Sequence, residues 1–557
     1  MRLYADITAG IGRLPTAVLA LPVAGVYLLH VLSQPEHWLD DAYIFFRYAA
    51  NWADGHGPVF NLGERVEGYS SVLWTMILAA GAALSIEPEH FAPVMATGFG
   101  VLCIGLTCHL TRTLIPSSPL LWLGVPLAVA MSSGLALFAV VGMDTIIFTF
   151  AILAATAAAI DASRSGRIEW LAATLIFLSL ARAEGPLYVV CILLVLAAQS
   201  FTGDTGLGRR ALLQLTVVCA VALFAQTVAR LAYYGDLIPN TVSAKGYATH
   251  GLAEVVSSGF RNWHDFINAV GHGIQYQRAF IAIASVPLAI LAFRSLARRP
   301  ATAELWLVAT PILVNVGITI WSGGDWIGLQ RLNVPVWPLV LILVACQLEW
   351  LTSKLALAEW AAAPAVATGI VLFAMFLLGS SAVERRPGLP HPDNLLAPAE
   401  TGWSLYGHQT GDFLRETGHQ LVLLSDVVGK LPYYAGSDVY VRDAYGLTDE
   451  HNGEVGERWA RTLGRSDDAY NFGEPFDLLV TNDPEFLRRL FDYWGTETSA
   501  EVGGGYVFFL RSDWLEENFF VLALETHPIA GQLTEFCTCT AGQLTRDMVD
   551  QMEPPGR

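Results

Sequence analysis

Charge is scarce in this chain. Only 15% of its 557 residues are charged, and basic side chains are the minority, 32 Lys and Arg against 50 Asp and Glu, for a net charge of −18. No nucleic-acid partner is expected, because neutralising phosphates takes a basic surface. Cysteine is sparse as well. Cys103, Cys108, Cys191, Cys219 and Cys346 lie inside apolar runs, where a small buried hydrophobe is the ordinary reading, and the Cys537/Cys539 pair lacks the second ligand pair of a zinc site. The glycine of "SDVVGKLPYYAG" follows a strand-like run, but the stretch lacks GxGxxG and the Walker lysine spacing, so no nucleotide site is expected there. No internal repeat and no low-complexity tract is visible.

What is abundant is apolar surface: 54% of residues are hydrophobic and the mean hydropathy is +0.46. Runs of about 20 apolar residues, enough for a helix to cross a ~30 Å hydrocarbon core, recur from Leu14 to about Ala382. They predict a polytopic membrane protein with spans near 14–33, 71–86, 91–111, 119–141, 145–160, 168–182, 186–200, 211–232, 279–297, 302–321, 333–350 and 360–382. The first run outlasts a signal-peptide core and has no small-residue cleavage site after it, so it is expected to remain as a span. After residue 382 the runs stop. The remainder carries 29 acidic against 13 basic side chains, which places most of the negative charge in a polar C-terminal domain. The expected division is a membrane domain, 1–382, and a soluble domain, 383–557.

Arg164 and Arg167, Arg209 and Arg210, Arg294, Arg298 and Arg299, and Lys354 fall in alternate short loops, the cytoplasmic pattern. The loops with "ARAEGP", "YYGDLIPNTVSAKG" and "WSGGDWIGLQR", together with the C-terminal domain, are then expected on the outer side. Crossing parity between Asp40 and Asp144 requires one irregular run. The stretch 119–141 holds Pro126, Ser132 and Ser133 and is predicted as a re-entrant pair of short helices or two compressed spans. Such backbone persists at membrane depth only where protein or a water-filled cavity surrounds it.

Between the first two runs lies "WLDDAYIFFRYAANWADGHGPVFNLGERVEGYSS", residues 38–71. Its apolar positions Ala42, Ile44, Phe45, Tyr48, Ala49 and Trp52 have helical spacing, with Asp41 the expected N-cap and Arg47 and Asn51 on a more polar face of a helix at the membrane interface. Ser70 or Ser71 is expected to cap the next span. Asp40 and Asp41 are suited either to capping in water or to general-base work on a hydroxyl, and their spacing alone does not choose.

The same string resembles the first outer loop of GT-C glycosyltransferases, especially the group of the mycobacterial terminal β-(1→2) arabinofuranosyltransferase. "GMDT" at 142–145 resembles that group's second acidic site with Asp144 in place of the more usual Glu, and "ARAEGP", "YYGDLIPNT" with Lys245, and "GGDW" followed by Arg331 resemble further segments in the expected order. The C-terminal domain is similar through "GKLPYYAGSDVYVRDAYGLTD" and "FDLLVTND" alone. The resemblance implies a GT-C fold of about 11 to 13 membrane helices with a C-terminal mixed α/β domain, in a bacterial plasma membrane. It also implies inverting transfer of a sugar, arabinofuranose first, from a polyprenyl phosphate donor to a glycan or glycolipid acceptor on the outer face, in a setting of membrane lipids.

For that chemistry Asp41 is the expected base with Asp40 in support, and a nearby carboxylate also stabilises oxocarbenium character. Arg182, Lys245 and Arg331 are the expected contacts to the donor phosphate, against the alternative that they snorkel to lipid headgroups. Glu184 and Asp236 are expected to orient the basic residues, with Asp144, Asn240 and Asp325 in support. Tyr233, Tyr234, Trp321, Trp326 and Trp337 are read as an interface belt or as stacking surfaces for a sugar ring. No cofactor is expected; a divalent cation is compatible but not required, since a monophosphate leaving group can be balanced by Arg and Lys. The C-terminal runs "HQLVLLSDVVGKLPYYAG", "SDVYVRDAYG", "FDLLVTND", "GYVFFLRS" and "FFVLALE" read as strands of an α/β or α+β fold, expected to serve as a platform for the acceptor or a partner. Transfer of another sugar is the alternative within the same class. A transporter or flippase for lipid-linked glycans is the alternative outside it, disfavoured by acids placed in an outer loop and by the lack of an inverted repeat.

Overall fold

The apolar runs fold as helices. The computed structural model of the chain describes residues 14–34, 39–119, 121–244, 275–296, 303–322, 331–354, 402–444, 446–449, 471–472, 474, 476–481, 483–496, 498–499, 505–510, 519–537 and 540–551. The expected span 360–382, the domain boundary at 382/383, Cys539, Lys245, Asp325, Trp326 and the side chain of Trp321 lie outside the described residues. By contact density the chain divides into two compact units. The first comprises Met1–Pro35, Ala92–Gln226 and Ala253–Gly388, and the second Glu36–Phe91, Thr227–Leu252 and Leu389–Arg557. The segments with "WLDDAYIFF" and "YYGDLIPNT" thus group with the C-terminal domain, whereas "ARAEGP" and Arg331 belong to the first unit.

Before residue 355 the described helices are α1 (Thr16–Leu32), α2 (Asp40–Ala53), α3 (Val72–Ala83), α4 (Pro88–Leu114), α5 (Leu121–Ala130), α6 (Ser133–Leu137), α7 (Thr145–Ser165), α8 (Glu169–Ala181), α9 (Gly185–Thr202), α10 (Arg209–Tyr234), α11 (Asn240–Ala244), α12 (Gln275–Leu296), α13 (Ala303–Ser322) and, after a 3-10 turn at Val334–Val336, α14 (Trp337–Lys354). Among the described residues five helices are long and apolar enough to cross a membrane, and six more are apolar but shorter. The protein is a multi-pass membrane protein. Helix α7 is the central helix of the first unit, with 89% of its apolar window buried in protein, whereas only 11% of that of α10 is buried, as suits a lipid-facing helix. The 119–141 run is broken into α5 and α6. The Ala130 carbonyl, freed by that break, lies 3.1 Å from Nδ1 of His30 in α1, which offers this backbone group a partner.

In the second unit a six-stranded sheet is formed by β1 (Leu421–Ser425), β2 (Val439–Asp443), β3 (Leu478–Thr481), β4 (Tyr506–Leu510), β5 (Phe520–Leu524) and β6 (Thr540–Gly542). Its order is β2-β1-β3-β5-β4-β6, parallel across the first three strands and antiparallel beyond. Strands β1 and β3 are almost wholly buried, as parallel strands covered on both faces should be. The described helices of this region are α15 (Gly402–Thr417), α16 (Lys430–Ala435), α17 (Pro484–Trp494), α18 (Ile529–Cys537) and α19 (Arg546–Asp550). Phe486, Leu487, Leu490 and Phe491 of α17 pack on Leu479, Phe508 and Leu522 to form its core.

Helix α3 begins as expected, with Ser71 Oγ accepting from the Trp74 N–H at 3.1 Å. Helix α2 does not. It starts two residues early, at Asp40, with Leu39 in the cap position, so both aspartates lie in its first turn and Asp41 is no N-cap. The expected polar face of α2 is also absent. Arg47 (3% exposed) and Asn51 (4%) are buried with Ile44 and Phe45, because the donors of this face are taken up by backbone carbonyls of the surrounding loop and the C-terminal domain.

Candidate active site

Two sets of polar groups stand out, one in each unit. In the second unit they begin with the acidic pair. Carboxylates in the first turn of a helix are favoured by its dipole. Asp40 is held further: Oδ1 accepts from the Lys430 N–H at 2.7 Å and Oδ2 from the Gly429 N–H at 3.0 Å. These amides belong to the cap and first residue of α16, just beyond the carboxyl end of β1, a parallel strand flanked by strands on both sides, where such sheets commonly receive ligands. Here a side chain of the same protein fills that place. Gly429 is required sterically, since a Cβ there would collide with the Asp40 carbonyl oxygen and carboxylate. The Asp40 residue keeps some exposure, but burial of its carboxyl pushes it up to about 7; the Asp41 charge adds to the rise, while the Lys430 and Gly429 N–H groups and the Lys430 ammonium oppose it. Asp41 is next to it, half-buried.

Arg47 ties α2 to the C-terminal domain. Its guanidinium donates to the carbonyls of Phe60 (2.8 Å), Gly436 (3.0 Å), Val439 (2.8 Å) and Pro432. Asn61 exchanges two hydrogen bonds with Val441, at 2.9 and 3.0 Å, and so covers the edge strand β2. Tyr43 and Tyr434 both donate to Glu89 Oε1, at 2.5 and 2.6 Å. Asn240 donates to the carbonyls of Gly446, Leu447 and Asp449 at 2.8 to 3.2 Å, and its own N–H reaches the Glu67 carbonyl. Tyr234 donates to the Pro58 carbonyl at 2.9 Å and meets the Tyr69 hydroxyl at 2.8 Å, an anchoring role for a ring considered for sugar stacking. Asp236 is exposed. Glu67 is buried and pairs with Arg230, Nε to Oε2 at 2.5 Å and Nη2 to Oε1 at 3.3 Å; burial raises its proton affinity and Arg230 opposes that.

In the first unit three helix ends converge. Asp144 precedes α7, Arg182 ends α8 and Glu184 precedes α9. Arg182 pairs with Asp144 (3.6 Å) and Glu184 (2.8 Å) and lies over the Phe148 ring. The "ARAEGP" turn needs its glycine: a Cβ at Gly185 would strike the Leu178 carbonyl across the helix pair. Tyr188 packs on Phe148 and donates to Asn315 at 3.0 Å, and Asn315 donates to Asn333 at 3.1 Å. Arg331, two residues earlier, is buried at 5% exposure, and Trp337 is buried at the start of α14.

Sequence reasoning missed Glu67, Arg230, Glu89, Lys430, Asn315 and Asn333. Glu67 and Glu89 had a signal, acids beside helix starts in otherwise apolar or glycine-rich sequence. The others are polar residues within runs taken whole as spans or strands.

No protein-family model matches the chain. One curated relative, terminal beta-(1->2)-arabinofuranosyltransferase of Mycobacterium tuberculosis, is 46% identical over 50 residues, a match that spans 9% of this chain and 8% of the relative. The structure of ArnT from Cupriavidus metallidurans bound to undecaprenyl phosphate superposes over 92% of this chain and 98% of its own, with a TM-score of 0.51 at 15% identity. The chain has the GT-C fold. The cryo-EM structure of arabinosyltransferase EmbB from Mycobacterium smegmatis matches 60% of this chain and 31% of its own at a TM-score of 0.39, too low to add to that. The GT-C fold accounts for the long helical unit, and the small mixed sheet follows it in the C-terminal region.

Proposed function

We propose that this protein is an integral-membrane inverting glycosyltransferase that moves a sugar, arabinofuranose first, from a polyprenyl phosphate to a glycan acceptor on the extracytoplasmic face, where the C-terminal domain also lies. The observation that carries the reading is the acidic pair, in which both Asp40 oxygens are committed to backbone N–H groups while its neighbour Asp41 sits half-buried in the first turn of α2. Asp41 is the base and Asp40 sets its position. The acceptor hydroxyl oxygen forms the new bond to the anomeric carbon as the bond from that carbon to the phosphate oxygen breaks; the hydroxyl proton passes to Asp41 and the polyprenyl phosphate leaves with the electron pair.

A lipid-phosphate donor is supported by the GT-C fold shared with ArnT, whose structure holds undecaprenyl phosphate. Arabinofuranose is supported by the short match to the arabinofuranosyltransferase. Arg331, Arg182 and Lys245 are the proposed phosphate contacts. Arg182 also pairs with Asp144 and Glu184, which hold its guanidinium in place. The test is to supply purified protein with radiolabelled polyprenyl-phosphate sugars one at a time. Turnover of the arabinofuranose donor supports the reading, and turnover of a hexose donor alone removes the sugar assignment.

A further inference from the structure

The C-terminal domain was expected to be a platform for an acceptor or partner, yet its loop after β1 reaches the acidic pair directly. Lys430 supplies two groups there. Its N–H donates to Asp40 Oδ1, and its side chain, although a lysine, is buried at 3% exposure with Nζ 5.4 Å from the centre of the Tyr43 ring. A buried ammonium is costly unless opposite charge or aromatic faces receive it. Asp40 is close enough to feel its charge. The packing element α16 also brings Tyr433 and Tyr434 to this place, while α2 brings Asp41 and Tyr43, with Glu89 bonded to Tyr43 and Tyr434.

We propose that Gly429 and Lys430 of the C-terminal domain are positioning residues for the transfer reaction. Their two N–H groups hold Asp40 against the start of α2, and the Lys430 ammonium, seated over the Tyr43 ring, favours the carboxylate form of Asp40 beside the proposed base Asp41. Gly429 permits the approach because no larger residue fits beside the Asp40 backbone. This inference rests on the proposed base role of Asp41, and it makes the soluble domain part of the catalytic apparatus.

The test uses full-length protein in nanodiscs and two readouts. Infrared titration follows the carboxyl band that Asp40→Asn removes. The pH profile of sugar transfer follows the reaction, with polyprenyl-phosphate arabinofuranose and an arabinan oligosaccharide as substrates. Lys430→Met is expected to move the Asp40 midpoint and the acidic limb of the profile upward together by about one pH unit, a tenfold gain in proton affinity. Lys430→Arg should restore both toward wild type. Gly429→Ala should move the midpoint in the same direction by pulling the two N–H donors away. A Lys430→Met protein that is folded by circular dichroism but whose midpoint or acidic limb stays within about 0.2 units of wild type would overturn the inference. An Asp41→Asn enzyme with full activity would instead remove the base assignment, while the infrared shift would still report on Lys430.

Discussion

Replacing Arg47 by Ala tests the attachment of α2 to the C-terminal domain. The guanidinium is buried and donates to four backbone carbonyls, three of them from residues 432–439. Truncation removes the charge and strands those acceptors at once. An unsatisfied buried group costs about 1 to 3 kcal/mol. Water entering the vacated volume recovers part of four such terms, which leaves about 3 to 5 kcal/mol, the usual size for breaking a buried charged contact from one side. At ~1.4 kcal/mol per decade this is a rise in local opening of about 10²- to 4 × 10³-fold. Hydrogen exchange in nanodiscs reads it at the amides of Tyr433, Gly436 and Val441, which are bonded to Gly429, Tyr433 and Asn61. Arg47→Lys should recover only a small part, because one ammonium does not span four carbonyls. Exchange within about threefold of wild type in Arg47→Ala would refute this account of the attachment.

Three further outcomes are expected. Alanine at Arg331 or at Arg182 should weaken donor binding by about 10- to 150-fold, the range for one charge-assisted contact, with Lys at position 331 restoring part of the loss; near-native affinities for both alanines would eliminate the phosphate role. The Asp40 carboxyl is raised to about 7 from an unfolded value near ~4, so the folded state binds its proton more tightly and this group's stabilisation is full below pH ~4 and lost as pH rises through about 7. Denaturation of wild type against Asp40→Asn across that window measures the effect, and parallel curves would contradict it. Cysteines placed at 236 and 412 should react with a membrane-impermeant reagent added from outside the cell, and labelling only after permeabilisation would reverse the proposed sidedness.

Much of the membrane unit was legible because apolar length is a local property. From 14–33 to 333–350, the expected runs that fall among the described residues are helical, and even the break at Met131–Ser132 was signalled by Pro126 and two serines. Five strands of the C-terminal sheet were readable as apolar runs between turn residues, whereas the three-residue β6 was too short to leave a pattern. The environment of α2 was not legible. Its spacing indicated an amphipathic helix, and Arg47 and Asn51 read as a wet face, because nothing nearby reveals that carbonyls almost 400 positions away receive the arginine. Asp41 read as an N-cap for a similar reason. The partners of Asp40 are the amides of Gly429 and Lys430, so the helix start is set by a distant loop rather than by local capping. The "GKLPYYAG" stretch lacks the pattern of a nucleotide site, yet the amides of Gly429 and Lys430 at its start hold a carboxylate of the chain itself.

The most direct measurement is sugar transfer by purified wild type and Asp41→Asn in nanodiscs, with radiolabelled polyprenyl-phosphate arabinofuranose as donor and an arabinan oligosaccharide as acceptor. The account predicts transfer by wild type and a loss of at least ~10²-fold in Asp41→Asn at unchanged donor affinity, the lower range for removing a general base. Equal turnover by the two proteins, or no turnover of any polyprenyl-phosphate sugar by wild type, would contradict it.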